Sequence, residues 1–375
     1  MKPSEISAVI LAAGYSSRMG FFKPLSELDG RAALEWAVRS MADAGIGDVV
    51  VVTGFRREET DICAAGAGAR PVFNPRFSEG MFSSVQTGAA SLSSSSRAFF
   101  LLPADIPTVR PATVRLLARY ASFRGITYPL FQGKRGHPPL IGASFIPHIL
   151  NYTGEGGLKR FLEMREKNSV DLAVADEGVL MDMDEPEDFE RVRLRAERIH
   201  LPSPAERRVL FSIAGTPGEV IAHSAKVASV ALRLAAVLPC GAGVDGCLLE
   251  NACLLHDICR ALPEHDEAGK VFLEVCGFPA VAAIASCHMG IPPRAASEAK
   301  LLYLADKLVR GTSPVSLAER KRSAMAEYGE NRNAGANIRK RFARARRIVR
   351  WIEKESGKRI GDILGEDIHS LDGSH

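Results

Sequence analysis

Three short apolar segments alternate with stretches of helical periodicity in the first part of the chain. The segments span residues 8–11, 48–53 and 98–102, and each runs into a loop that begins with alanine, glycine or proline. Strands that alternate with helices in this way favour a parallel, doubly wound sheet. Ligands of such sheets bind beyond the carboxyl ends of the strands, so the loops after these segments are predicted to face one cleft. The sequence therefore predicts an α/β first domain.

The loop after the first segment, within AVILAAGYSSRMGFFKPL at residues 8–25, contains glycine and two cations. An apolar strand that ends in a glycine-containing loop presents backbone N–H groups to phosphates. Arg18 adds a forked donor and Lys23 a point charge, so together they suit a nucleoside triphosphate. The loops GxxxxGK(S/T) and GxGxxG are both absent. The alternative is an ordinary strand and turn with two solvated cations.

Two aspartates lie in predicted loops of the same domain. Asp105 follows the third apolar segment, and Asp184 lies in the acidic cluster of residues 181–189. Hard cations such as Mg²⁺ bind carboxylate and triphosphate oxygens together, so these aspartates are candidate Mg²⁺ ligands. Residues 184–188 are also typical of a helix start with Pro186 in its first turn. Both interpretations stay open, because one aspartate can cap a helix and bind a metal.

Residues 6–195 resemble the molybdopterin cytidylyltransferase-like nucleotidyltransferases. All fixed positions of the signature LxxGxxxRMxxxK are present, and NPRFSEGMFSSVQTGA, PADIP, RGHPPL, GEGGLKRFL and MDMDEPEDF follow in the family's order. The resemblance implies a sheet like that of the nucleotide-diphospho-sugar transferases. It implies nucleotide binding by Leu11, Ala12, Ala13, Gly14, Arg18, Lys23, Ser83 and Ser84. It implies catalytic roles for Arg18, Lys23 and Asp105, with Mg²⁺ held by Asp105 and Asp184.

The activity implied by this resemblance is transfer of CMP from CTP to a molybdopterin-type cofactor, with release of pyrophosphate. Ala-Ala-Gly at residues 12–14 resembles the cytidylyl branch, whereas guanylyl enzymes usually have Ala-Gly-Gly. The chain departs from the family pattern at Phe21-Phe22, Met183 and Glu185, none of which is a proposed ligand. A sugar or alditol phosphate is the alternative acceptor. A molybdoenzyme or a chaperone is a candidate protein partner.

The second half of the chain places histidines and aspartates among apolar residues with helical periodicity. Burying that many ionisable groups is costly unless they share a metal. Mixed imidazole and carboxylate ligands suit Mn, Fe, Co, Ni or Zn, and two such metals can activate water against a phosphate ester. The candidate ligands are His223, His256, Asp257, His265, His288 and Asp306.

The order H…HD…D in this segment resembles the HD-domain phosphohydrolases. His223, His256, Asp257 and Asp306 match the core ligands, and the two other histidines match the extra ligands of binuclear members. The resemblance implies an all-helical domain that hydrolyses phosphoesters with one or two metals. The segment LYLADK is similar to that of HD hydrolases acting on dinucleoside polyphosphates. The alternative is a nucleotide-sensing module without turnover.

Two further features concern partners of the second half. Lys226 and Lys307 are candidates for phosphate contact, with solvated lysines as the favoured interpretation. Apolar residues at 338, 342, 345, 349 and 352 predict a helix whose other face is rich in arginine. Packing on its own domain is favoured over a nucleic-acid contact. The predicted domains are residues 1–198, 199–320 and 321–375.

Composition sets the remaining limits. The seven cysteines include no CxxC pair, which favours reduced thiols over a disulfide framework. The apolar runs are too short for a bilayer span, and no basic start followed by an apolar stretch indicates a signal peptide. We therefore expect a cytoplasmic protein with a small net charge of +4 and no membrane partner.

Overall fold

The computed structural model describes residues 1–16, 20–153 and 155–365. The chain divides into two compact units, of which the first spans Met1–Ile199 and the second begins at His200. Within the described ranges, no helix has the length and apolarity needed to cross a membrane. The boundaries at residues 198 and 320 stay predictions.

The first unit contains a mostly parallel sheet in the order β10-β7-β9-β6-β1-β4-β5, with β8 paired to β7. Strand β9 runs antiparallel to β6 and β7, and the pairs β1–β4, β1–β6, β4–β5 and β7–β10 are parallel. The predicted α/β fold class is confirmed. The strands are β1 (Ile6–Leu11), β2 (Glu27–Leu28), β3 (Arg31–Ala32), β4 (Asp48–Thr53), β5 (Arg70–Phe73), β6 (Ala98–Pro103), β7 (Ile126–Phe131), β8 (Lys134–Arg135), β9 (Leu140–Gly142) and β10 (Ser169–Ala173).

Helices connect these strands and close the core of the first unit. A Cβ atom at Gly88 would overlap a methyl group of Val9, so glycine allows the third helix to lie directly against β1. The helices are α1 (Ala33–Ala42), α2 (Arg57–Gly66), α3 (Met81–Ala90), α4 (Pro111–Ala118), α5 (Ile146–Leu150), α6 (Gly157–Glu163) and α7 (Pro186–Glu197).

Two sequence expectations about the last part of this unit are corrected. The apolar pattern predicts a strand at residues 172–174, but β10 begins earlier, at Ser169, because residues 169–173 pair with residues 126–130 of β7. The N-cap of α7 is Glu185 rather than Asp184, and Glu185 forms a capping box with Asp188. The position of Asp184, one residue before the cap, is therefore not set by the helix start.

A buried ionic network joins the segment before α4 to α7. Asp176 is 1% exposed and accepts hydrogen bonds from the Arg110 backbone, the Thr113 hydroxyl and the Arg195 guanidinium. The Arg110 guanidinium contacts the same carboxylate at 3.1 Å. Both arginines are themselves buried, so this carboxylate compensates charge inside the fold, and Arg195 also pairs with Glu177 at 3.3 Å.

Over residues 200–365, the second unit is helical apart from one short hairpin, which confirms the predicted all-α class. Its helices pack around the apolar faces of α9, α10 and α13. The elements are α8 (Pro204–Ala214), α9 (Gly218–Ala236), α10 (Gly246–Leu255), α11 (His265–Val275), α12 (Pro279–Ala285), α13 (Ser297–Lys307), β11 (Val309–Arg310), β12 (Ser313–Pro314), α14 (Leu317–Tyr328), α15 (Arg332–Ser356) and α16 (Ile360–Leu364).

Two helix bounds in this unit differ from those that the sequence pattern predicts. Apolar periodicity predicts a helix over residues 248–260, but α10 ends at Leu255, so the adjacent pair of candidate ligands at 256 and 257 lies in the turn after it. Residues 216–219 predict a helix start with Thr216 as its cap, but α9 begins after Pro217, and the Thr216 hydroxyl donates to the Ile258 carbonyl. This bond ties the start of α9 to the turn after α10.

Helix α15 confirms the predicted amphipathic helix, with one change of register. The buried face of the helix includes Ile348, whereas Val349, the position that the sequence pattern predicts, is only half-buried. The Tyr303 hydroxyl of α13 donates to the Arg341 carbonyl of α15 at 3.1 Å. The six arginines of the other face are exposed at positions 339, 341, 344, 346, 347 and 350.

Candidate active sites

Lys23, Asp105 and Asp184 come together at one edge of the sheet. Asp105 follows β6, which is parallel to β1, and the Ala104 backbone donates to the Leu11 carbonyl at 3.0 Å. The Lys23 ammonium donates to Asp184 Oδ1 at 2.7 Å and lies 3.6 Å from Asp105 Oδ2. The structure thus joins positions 161 residues apart in the chain.

The carboxylates at this edge favour a cation. Burial raises the pKa of Asp105, and Asp184 raises it further, against the opposing effect of Lys23. Asp182, which the sequence analysis did not single out, has a pKa raised by burial and by the charges of Asp184 and Asp105. Three carboxylates beside one lysine are hard oxygen donors of the kind that Mg²⁺ prefers. The residues present therefore fit a Mg²⁺ ion.

The loop after β1 is held tightly against the end of β4. The Ala12 backbone donates to the Val52 carbonyl at 2.9 Å, and the Ala13 carbonyl accepts from the Phe55 backbone at 3.2 Å. A Cβ atom at Gly54 would lie 2.7 Å from the Ala13 carbonyl oxygen, so glycine is needed for this approach. Among the residues that the structure describes, no heavy atom would lie within 4 Å of a Cβ at Gly14, so this position faces open space there.

The three other predicted nucleotide-binding positions are Arg18, Ser83 and Ser84. Arg18 lies outside the described residues. Ser83 and Ser84 are buried, and the amide of Asn74 donates to both hydroxyls at 2.9 and 3.0 Å. Ser83 in turn donates to the Arg76 carbonyl at 2.7 Å. In this arrangement the two hydroxyls hold the start of α3, and the fully buried Asn74 has a positioning role that the sequence analysis missed.

Aromatic rings flank the loop that follows β1. The Tyr15 ring lies 5.2 Å from Phe55 and 5.4 Å from Phe77, and Phe22 lies 5.8 Å from Phe55. Tyr15 is 50% exposed, so one face of this cluster is open to solvent. No sequence pattern indicates this cluster, because its members come from three different loops.

In the second unit, four predicted ligands surround one point. His223 Nε2 lies 3.4 Å from Asp306 Oδ1, and His256 Nε2 lies 3.7 Å from the same oxygen. Asp257 Oδ2 lies 3.7 Å from His256 Nε2. The ligand atoms of His223, His256 and Asp257 all lie within 4.8 Å of one another.

The two remaining histidines form a second group on the other oxygen of Asp257. Asp257 Oδ1 lies 3.3 Å from His265 Nε2 and 3.2 Å from His288 Nε2. The two Nε2 atoms are 3.2 Å apart. The structure thus assembles two ligand groups that share one carboxylate.

The hydrogen bonds of the imidazoles identify which nitrogens face these groups. The Nδ1 atoms of His223, His256 and His288 each contact a backbone carbonyl at 2.8 Å. Because a carbonyl only accepts, each Nδ1 is the donor, and each neutral ring keeps a lone pair on Nε2. His256 Nε2 and Asp257 Oδ1 are buried without a hydrogen-bond partner. Lone pairs on Nε2 and carboxylate oxygen atoms that face each other repel unless a cation lies between them, so these residues fit a metal.

The charges around the shared carboxylate are strongly coupled. Burial raises the pKa of Asp257, but the neighbouring His288 and His256 outweigh this effect and lower it to about 2. Burial also raises the pKa of Asp306, whereas the neighbouring His223 and His256 bring it well below its ordinary value. Both aspartates are therefore carboxylates at neutral pH, the form in which they bind metals.

A cavity of about 790 Å³ opens beside these ligands. Lys307 is buried on its wall, and its ammonium donates to the His288 carbonyl at 3.0 Å and lies 3.5 Å from Asp306 Oδ2. The expectation of a solvated lysine at this position is wrong, because α13 turns the side chain towards the ligands. Four arginines complete the cationic lining at positions 260, 310, 320 and 341.

Both halves of the chain match family models. Residues 8–170 match the MobA-like NTP transferase domain, and residues 220–311 match the HD domain. The two resemblances drawn from the motifs are confirmed.

Individual relatives match the first half. The molybdenum cofactor cytidylyltransferase of Escherichia coli (strain K12) is 26% identical over 189 residues, which cover 50% of this chain and 94% of that enzyme. The nicotine blue oxidoreductase of Paenarthrobacter nicotinovorans is 29% identical over 197 residues, covering 50% and 96%. A solved nucleotidyl transferase from Methanothermobacter thermautotroptrophicus aligns with a TM-score of 0.47 and 26% identity, over 52% of this chain and 98% of that chain.

Proposed function

We propose that this chain, which joins a MobA-like NTP transferase domain to an HD domain, is a bifunctional enzyme. Residues 1–198 transfer CMP from CTP to a molybdopterin-type cofactor, and residues 199–320 hydrolyse a phosphoester with bound metal. Residues 321–375 form a basic extension that follows the hydrolase domain, and the described part of this extension, up to residue 365, is mostly helical. The transferase assignment is supported by the 26% identical cytidylyltransferase, and the hydrolase assignment by the two ligand groups on Asp257.

In the transferase reaction, a phosphate oxygen of the acceptor attacks the α-phosphorus of CTP. The bond to the β-phosphate oxygen breaks, and pyrophosphate leaves. Asp105 and Asp184 would hold Mg²⁺, which neutralises charge on the triphosphate. Lys23 stands between these carboxylates at 3.6 and 2.7 Å and is placed to bind a phosphate oxygen. Arg18 is predicted to bind a second one. The aromatic cluster around Tyr15 offers a surface on which the base can stack.

A pyrophosphate-release assay tests the transferase. Purified full-length protein is incubated with Mg²⁺, molybdopterin cofactor and CTP, GTP, ATP or UTP in turn. We expect release with CTP, reduced at least about 100-fold in Asp105→Ala because a ligand of the transition-state charge is lost. Asp43→Ala, an exposed aspartate at the end of α1, is the matched control.

Two outcomes would contradict this proposal. Full activity of Asp105→Ala would remove this residue from the mechanism. No release with any nucleotide would exclude the molybdopterin acceptor, and phosphorylated sugars and alditols would then be tested in the same assay.

In the hydrolase reaction, a water oxygen attacks phosphorus, the ester P–O bond breaks, and the alcohol leaves with the proton. His223, His256, Asp257 and Asp306 would hold one metal, and Asp257, His265 and His288 a second. Such metals lower the pKa of water and polarise phosphate oxygens. The protein orients the imidazoles through their carbonyl bonds, and Lys307 adds a positive charge beside the ligands.

Metal analysis and a phosphatase assay on the full chain test this second activity. We expect about two bound transition-metal ions and hydrolysis of p-nitrophenyl phosphate with Mn, Fe, Co, Ni or Zn. In Asp306→Ala, both the metal content and the hydrolysis should fall. Tight nucleotide binding without turnover under every metal would instead support a sensing module.

A further inference from the structure

We propose that Arg320 and Arg341, on helices α14 and α15, form a second phosphate subsite beside the metal ligands. The HD unit would then act on substrates that contain at least two phosphate groups. This inference rests on the proposed hydrolase function and specifies the substrate class of the same site. It also gives the basic helices near the end of the chain a function.

The wall of the cavity brings the candidate metal ligands and the helix pair together. One part of the wall consists of the candidate metal ligands His223, Asp257, His288 and Asp306. Another part comes from α14 and α15, which contribute the two arginines together with polar residues such as Asn337. The helix pair therefore belongs to the same cavity as the metal ligands. Its volume of about 790 Å³ exceeds what one phosphate group needs and lies in the range of about 300–1,000 Å³ that small-molecule sites occupy.

The lining of the cavity carries an excess of positive charge. Five cations line the cavity, and apart from the two aspartates assigned to metal, the lining acids are Glu219 and Glu327. Within the described ranges neither Arg320 nor Arg341 forms an ion pair, and Arg320 is half-buried. Two cations without an ion-pair partner on one cavity wall are unfavourable, and an anionic ligand would compensate them.

The fold fixes the backbone of the helix pair that carries the subsite. The Arg341 carbonyl accepts a hydrogen bond from Tyr303, so the backbone of this arginine is tied to α13. The Arg310 guanidinium lies 3.4 Å from the Ser323 hydroxyl, which links the hairpin to α14. Helices α14 and α15 also pack against each other. A backbone that is already in place lowers the entropy cost of binding, so only the two side chains have to be ordered by the ligand.

The chemistry of arginine favours phosphate over other anions. Its planar fork matches phosphate oxygens with two parallel hydrogen bonds. One phosphate group would lie at the metals, where the bond breaks. A second phosphate of the same molecule would bind the fork of Arg320 or Arg341. A substrate with a single phosphate, bound at the metals, has no second phosphate for these arginines to bind.

Competition experiments on the full-length, Mn²⁺-loaded protein test the subsite. Hydrolysis of p-nitrophenyl phosphate is inhibited by inorganic tripolyphosphate or by orthophosphate, and the inhibition constant Ki is measured. In Arg320→Ala and Arg341→Ala, Ki for tripolyphosphate should rise about tenfold each, because a charge-assisted hydrogen bond is lost. Ki for orthophosphate and KM for p-nitrophenyl phosphate should change less than about twofold, since these ligands reach the metals alone.

Control variants and a binding measurement complete the design. Arg346→Ala removes an exposed arginine from the same helix but outside the cavity, and it should leave all constants unchanged. Arg320→Lys and Arg341→Lys keep the charge without the fork and should fall between wild type and the alanine variants. Calorimetric Kd values for tripolyphosphate should follow the same order.

The outcomes separate this inference from the proposed function. Unchanged Ki for tripolyphosphate, or equal losses for tripolyphosphate and orthophosphate, would overturn the subsite. Stronger competition by single-stranded RNA than by tripolyphosphate would overturn it in favour of a nucleic-acid surface. If wild type hydrolyses nothing with any metal, the hydrolase function fails. The calorimetric comparison of wild type with the arginine variants then still decides whether the subsite exists.

Discussion

Replacing Asp257 with asparagine should separate metal binding from folding in the second unit. This carboxylate faces three imidazoles, with Oδ1 at 3.3 and 3.2 Å from His265 and His288 and Oδ2 at 3.7 Å from His256. His256 and His288 donate from Nδ1 to backbone carbonyls and offer their Nε2 lone pairs. The metal-free wild type then holds acceptor against acceptor, and an asparagine amide would supply donors. We expect metal-free Asp257→Asn to be as stable as wild type, or more stable by about 1 kcal/mol.

With metal the order should reverse. One ion at 100 times its Kd stabilises the folded state by about 2.7 kcal/mol, which for a unit of this size corresponds to a rise in Tm of about 5–10 °C. The variant lacks the Asp257 carboxylate, which belongs to both ligand groups, so it should lose most of the metal-induced rise in Tm. The sign change between the two conditions distinguishes a ligand from a residue that merely stabilises the fold.

The assay is thermal unfolding at pH 8, with EDTA or with Mn²⁺, monitored through the transition that responds to metal in wild type. Bound metal is counted in parallel. Asp266→Asn, at the start of α11 and outside both ligand groups, is the matched control. A metal-free variant several kilocalories per mole less stable than wild type would refute the argument. A variant that keeps the full metal-induced rise in Tm would refute it equally.

Two substitutions in the first unit test its packing and its buried charges. Gly88→Ala should lower the unfolding free energy by about 1–3 kcal/mol, because the new methyl group overlaps Val9, whereas Gly66→Ala on α2 has open space and should cost nothing. Urea denaturation measures both, and equal stability of the two variants would contradict the close contact. Asp176→Ala removes the buried carboxylate that both Arg110 and Arg195 contact and should cost about 3–5 kcal/mol, against a smaller loss in Asp176→Asn. An alanine variant within 1 kcal/mol of wild type would show that the network contributes little.

Patterns along the chain predicted the classes of the two units, because those patterns record local preferences. Apolar segments that alternate with helices indicate a parallel sheet, and the observed pairs β1–β4 and β1–β6 follow from that order. The antiparallel strand Leu140–Gly142 was not predicted, since three residues carry too little periodicity to identify a strand. Helix ends were also misplaced, as at Leu255, because the Thr216–Ile258 hydrogen bond that organises the following turn is tertiary.

The residue types of both sites were recognisable in the sequence, since phosphate and metal chemistry require glycine loops, aspartates and histidines in a fixed order. Which of them meet was decided by the tertiary structure alone. Lys23 pairs with Asp184 across 161 positions, and Asp257 lies between two groups of imidazoles. Spacing cannot specify such distances, because they depend on how separate elements pack.

The roles of residues outside the motifs depended even more on packing. Lys307 resembles any solvated lysine in the sequence, yet α13 buries it beside the candidate metal ligands. Arg320 and Arg341 belong to a stretch that looks like a uniform basic tail, and only the seating of α14 and α15 places these two on the cavity wall. The sequence by itself thus determined two fold classes and two kinds of chemistry. The tertiary structure decided which side chains share a site, because burial and proximity arise only when distant segments pack together.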